Sequence, residues 1–182
     1  MSKNIRFRGQ NIKIQIWDSA GQEKYKGLIP SYVRNSSIVF IVYDVSNRSS
    51  FDNVPNWISF VKNIEKTTIV LCGNKIDLER KVEKNDGEEL AKKEGLTFFE
   101  CSAKTNENIK YMFYSSIVGL PSFGITDESE RDNTIKELME ENGGEGFQEG
   151  GNNQDLVNQP PAKMSVNGEV EDGNKKRKKC GC

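Results

Sequence analysis

Apolar residues along this chain follow two periods, and two further runs follow neither. Ile12, Ile14 and Ile16 alternate with Lys13 and Gln15, a period of two that predicts a strand with one buried face. Residues 5–8 precede it as the other arm of a hairpin turning around 8–11. The runs IVFIVY (38–43) and TIVLC (68–72) do not alternate, which predicts parallel strands covered on both faces, and a shorter strand is predicted at 97–101. Between them, Phe51, Val54, Ile58 and Val61 recur at helical spacing, as do Ile109, Met112, Phe113, Ser116 and Ile117. Gly95 and Gly119 stand where helix C-caps belong, and Pro55 fits the first helix only if that helix begins near Asn53. Strand, helix, strand, helix predicts a mostly parallel α/β sheet whose strand ends form the ligand crevice.

The pattern stops near Leu120. From Pro121 onward glycine, asparagine and acids dominate, so the division expected is a folded unit over 1–120 and a flexible tail over 121–182. Residues 130–141 have the composition of a short acidic helix, but no second apolar stripe is evident to dock it. A length of 182 residues with 35% hydrophobic side chains suits one domain plus such a tail.

Composition removes several kinds of chemistry. The chain has no histidine, which excludes an imidazole base, a Ser-His pair and a His-ligated zinc. A net charge of -1 argues against a strongly basic nucleic-acid binder, although residues 175–179 are five consecutive cations. No apolar run approaches the ~18 residues of a membrane span, and the first residues lack the apolar core of a signal peptide, so an intracellular protein is expected. Cys72, Cys101, Cys180 and Cys182 are too few and too unevenly spaced for a disulfide framework or a zinc site.

Three short stretches fall at predicted strand ends. In DSAGQE (18–23) Asp18 at the strand tip can hold a metal, Gly21 can bring its backbone N–H close to an anion, and Gln22 can orient a water. In NKID (74–77) Asp77 can accept two hydrogen bonds from a guanine edge, while Lys75 can lie along a base face. Ser102, Ala103 and Lys104 form a small-residue turn whose N–H groups can meet a base carbonyl. Taken singly, each is equally a solvated turn; their order, each after a strand, is specific.

In that order IWDSAGQE, VYDVSN, GNKIDL and ECSAK resemble the Ras superfamily of small GTPases, and most of all its Rab branch, over residues 4–120. LIPSY (28–32) is similar to the Golgi-associated Rab subgroup. The resemblance implies a P-loop-NTPase-like α/β domain that binds GTP and GDP with Mg²⁺ and hydrolyses GTP. Asp18 would reach Mg²⁺ through water, Gly21 would contact the γ-phosphate, Gln22 would position the attacking water, and 23–33 would be the second switch segment. Asn74, Lys75 and Asp77 would select guanine, and Ser102, Ala103 and Lys104 would complete the base pocket. Effectors, exchange factors, activating proteins and a prenylation escort would be partners, with no role for nucleic acid.

The family's phosphate-cradling loop, G-x-x-x-x-G-K-[ST], does not occur in these residues, which contain no Gly-Lys dipeptide. By the resemblance, a strand, that loop and a helix belong before the hairpin, and their absence would open the sheet between the Ile12 and Ile38 strands and leave two unpaired edges. The ending KKRKKCGC (175–182) is no C-a-a-X box; it resembles the paired-cysteine Rab ending in which both thiols, here Cys180 and Cys182, are geranylgeranylated. Cations beside two lipids suit an anionic cytoplasmic leaflet, so the cytoplasmic face of an endomembrane, the Golgi above all, is expected. A nuclear localisation signal is the rival for the cations alone. Two functions follow: a membrane-tethered GTPase switch in vesicle trafficking whose N-terminal part lies upstream of Met1, or a non-hydrolysing interaction module that competes for prenylation machinery or effectors.

Overall fold

The computed structural model describes residues 1–19 and 27–143. Strands β1 (Ser2–Phe7) and β2 (Gln10–Gln15) form an antiparallel hairpin with Ile5 opposite Ile12 and Lys3 opposite Ile14. The turn is tighter than expected: Arg8 and Gly9, with φ of 48° and 78°, are its two residues. Two consecutive positive φ values match the right-handed twist of the flanking strands.

After α1 (Ile29–Arg34) come β3 (Ile38–Asp44), α2 (Arg48–Asp52), α3 (Val54–Lys62), β4 (Thr68–Asn74), α4 (Lys84–Glu94), β5 (Thr97–Glu100), α5 (Ile109–Val118) and α6 (Glu128–Glu141). The order β3-β4-β5 is parallel throughout, with Asp44 level with Asn74 and Gly73 level with Glu100. The hairpin and this sheet are separate: among the described residues β2 pairs only with β1, and β3 only with β4.

Tyr43, Val54, Ile58, Leu71 and Ala91 form the core under α3 and α4, whereas Cys72, Cys101 and Met112 pack under α5 on the opposite face. Central β4 is therefore buried from Ile69 to Gly73, as its apolar run predicts. The same expectation fails for β3. Val42 is 57% exposed: among the described residues β3 is an edge strand, and its second face is packed at Ile38 and Phe40 but not at Val42.

The helices depart from expectation in three places. Phe51 and Val54 are not on one helix: Asn53 ends α2 and Pro55 stands in the first turn of α3, where its missing N–H costs nothing. Gly95 closes α4 in the left-handed conformation (φ 69°), but the Gly119 cap of α5 is right-handed. The third departure corrects the flexible tail expected from Pro121. Helix α6 forms and docks, with Thr134, Ile135 and Leu138 buried in one cluster with Ile5, Ile12 and Ile14 of the hairpin and Tyr114, Ile117 and Val118 of α5. Its apolar stripe is only two residues and a threonine wide, too narrow to stand out among the acids. Burial of Ile135 and Leu138 contributes ~1.5–3 kcal/mol each. Asp127 caps the helix by accepting from the Glu130 N–H at 2.9 Å. At the other end the Asn142 amide accepts from the Arg6 N–H at 2.9 Å and donates to the Arg6 carbonyl at 2.8 Å, so the outer edge of β1 is satisfied there.

Candidate functional site

Two loops leave the sheet side by side, one after β4 and one after β5, and hydrogen bonds through Asn74, Ile76 and Asp77 join them. The Asn74 Oδ1 accepts from the Lys75 N–H at 2.8 Å and from the Ala103 N–H at 3.1 Å. The Ile76 N–H donates to the Cys101 carbonyl at 3.3 Å, and the Cys101 N–H to the Gly73 carbonyl at 2.9 Å. The buried Ser102 donates its hydroxyl to Asp77 Oδ1 at 2.5 Å while accepting from the Thr105 N–H at 3.1 Å. Lys104 Nζ lies 3.9 Å from Asp77 Oδ2, on a side chain that is otherwise exposed. All six residues expected here from the sequence, Asn74, Lys75, Asp77, Ser102, Ala103 and Lys104, thus converge on one crevice edge. One carboxylate, Asp77, faces that edge with a hydroxyl and an ammonium behind it.

The loop beyond Asp77 is strapped down. Arg80 makes a bidentate pair with Glu100 at the end of β5, both bonds 2.7 Å, and the Glu100 hydrogen bond holds the guanidinium pKa above its ordinary value despite partial burial. The Val45 carbonyl accepts from the Lys81 and Val82 N–H groups at 2.9 and 3.0 Å. These contacts tie the loop beyond Asp77 to the ends of β3 and β5.

Sequence reasoning missed Asp44. It ends β3 level with Asn74, and its carboxylate receives Lys75 Nζ at 2.5 Å and the Ser46 N–H and hydroxyl at 2.8 and 2.6 Å. Burial pushes its pKa up, but the Lys75 and Ser46 hydrogen bonds outweigh that and leave it below the ordinary 3.8. The available signal was an acid closing a predicted strand, as at Asp18. Beneath the crevice Cys72 and Cys101 are free thiols, their sulfurs 3.3 Å apart; the neighbouring sulfur and burial push the Cys72 thiol well above its ordinary range.

Of the other expected residues, only Asp18 is among the described ones. Asp18 is exposed just beyond β2, following the hairpin rather than the parallel sheet. Gly21, Gln22, Cys180 and Cys182 lie outside the described residues. Of the expected switch segment, 23–33, the described part ends in α1, where Ile29 and Val33 are buried and Tyr32 stacks on Trp17 with ring centroids 5.4 Å apart. No helix among the described residues is long and apolar enough to cross a membrane.

The fold defines an α/β protein whose loops at the carboxyl ends of the parallel strands β4 and β5 are joined to each other. The sequence model of the Ras family matches residues 1–120. The Ras-related protein Rab-4 of Dictyostelium discoideum is 38% identical over 150 residues, covering 74% of this chain and 73% of that relative. The chain belongs to the Ras family of small GTPases, on its Rab branch.

Proposed function

We propose that the chain is a Rab-type switch of vesicle trafficking, tethered to membranes through its C-terminus, whose described residues hold the guanine-reading part of the site. The observation that carries this is the joining of the NKID and SAK loops through Asn74, with Asp77 set against Ser102. Asp77 is a two-oxygen acceptor with one oxygen already oriented by a hydroxyl, and it suits the N–H pair on a guanine edge. Adenine offers no such pair of donors and leaves the carboxylate unmatched. Asp18, Gly21 and Gln22 have the roles of Mg²⁺ contact through water, γ-phosphate contact and water positioning.

Among the described residues no group of three or more His, Cys, Asp or Glu side chains could enclose a metal ion. A Mg²⁺ carried on the nucleotide's phosphates would be held through water by the Asp18 carboxylate, which is exposed just beyond β2. The ion would supply charge neutralisation at the β- and γ-phosphates.

Asp77→Asn tests the base pocket. It should move preference from guanine toward xanthine, by replacing a carboxylate acceptor with an amide that also donates. An unchanged preference in binding measurements would remove Asp77 from the base edge. The tether rests on Cys180, Cys182 and the five cations before them. Mass spectrometry of the membrane fraction should find both thiols carrying isoprenyl groups; two unmodified thiols on membrane-bound chain would refute it.

The second reading is a non-hydrolysing interaction module that competes for prenylation machinery or effectors. The coding region upstream of Met1 separates the two. An in-frame strand, phosphate loop and helix there favour the switch, and their absence favours the module.

A further inference from the structure

Lys75 is held at both ends. Its φ of 69° puts it in the left-handed region, which a lysine seldom occupies, and the Asn74 side chain fixes its N–H there at 2.8 Å. At the other end its Nζ meets Asp44 at 2.5 Å. Asp44 is itself immobilised: the Ser46 N–H and hydroxyl occupy one oxygen, and its own N–H donates to the Ser50 hydroxyl at 3.0 Å. With the Lys75 side chain half exposed, the pair adds little to stability. Its geometric effect is larger. A lysine stem pinned at its two ends crosses from the tip of β4 to the tip of β3 as an extended apolar surface with a fixed charge at its far end, beside the loop carrying Asp77.

We propose that Asp44 is a positioning residue for nucleotide binding, acting through Lys75: it anchors the ammonium so that the four-carbon stem is laid out in advance as the surface on which the purine face rests. This rests on the reading of the crevice as a base pocket. It assigns to β3 a part in ligand binding that the three sequence motifs do not contain. It also separates two properties of the pocket. Asp77 reads the base edge and sets preference among purines; Asp44 and Lys75 support the base face and set affinity without choosing the base.

The test uses the full chain and nucleoside monophosphates, which depend least on phosphate contacts. GMP, IMP and AMP are titrated by NMR against the unaltered chain, Asp44→Asn, Lys75→Ala and the double variant. An amide at 44 can still accept from Ser46, so the turn is retained, and Asp44→Glu serves as a second variant that keeps the charge. Asp44→Asn and Lys75→Ala should each weaken GMP about two- to fivefold, the scale of an exposed cation-to-ring contact. The double variant should be no weaker than Lys75→Ala alone, the ratio of GMP to IMP affinity should not move, and Asp44→Glu should recover part of the loss. Additive losses, unchanged binding in Asp44→Asn, or tighter binding there, which would mean that Asp44 draws the lysine away from the base, would each overturn the proposal. If the unaltered chain itself fails to distinguish GMP from AMP, the base-pocket reading falls, and the role of Asp44 falls with it.

Discussion

Asn74 helps join the loops at the crevice and Asp77 presents the acceptor, and both were legible in the sequence because each stands within a few residues of a buried apolar run that had to be a strand. Lys75 was legible as a residue but not in its conformation, since nothing in the letters NKID announces a left-handed lysine. Asp44 was not singled out at all; its part depends on β3 and β4 ending level, a register that only pairing reveals. The Asp44 carboxyl is held below its ordinary 3.8, so its pairing with Lys75 is complete above that value and is lost as the pH falls through the lowered one. The difference in stability between the unaltered chain and Asp44→Asn should therefore be flat from neutral pH down to that range and vanish on further acidification. A difference that instead disappears between pH 7 and 5, in roughly the range where histidine would titrate, would mean that another group controls it.

Among the elements, the strands were the most legible and the last helix the least. Continuous apolar runs identified β3 and β4, but the run alone could not say that β3 is, among the described residues, an edge strand with Val42 in solvent, because exposure there depends on what lies beside it rather than on its own residues. Helix α6 escaped because its acids outweigh a stripe of Thr134, Ile135 and Leu138, and because the surface it meets is made by the hairpin and α5, remote in sequence. Its contacts make it part of the packed unit. Leu138→Ala should cost about 2–4 kcal/mol in urea unfolding, and Asn142→Ala about 1–3 kcal/mol by stripping the Arg6 main chain of its partners. Amide hydrogen exchange at Arg6 should accelerate in both variants. If neither stability nor exchange changes, α6 is a passenger, and the expectation of a flexible segment beginning at Pro121 returns.

The whole molecule divides its chemistry unevenly. The base-reading loops are braced through Asn74, the Ser102–Asp77 bond and the Arg80–Glu100 pair, on a sheet with helices on both faces. Asp18 follows the separate hairpin, beyond the end of β2, and the phosphate-cradling motif does not occur in the 182 residues. On the reading proposed above, Asp77 and the loops around it select guanine whatever the phosphates contribute. The most direct test of that selection is a titration of the purified, monodisperse chain with GMP, GDP and AMP, with and without Mg²⁺. GMP and GDP should both bind more tightly than AMP, with or without Mg²⁺. AMP bound as tightly as GMP would remove the loops carrying Asn74, Asp77 and Ser102 from the base.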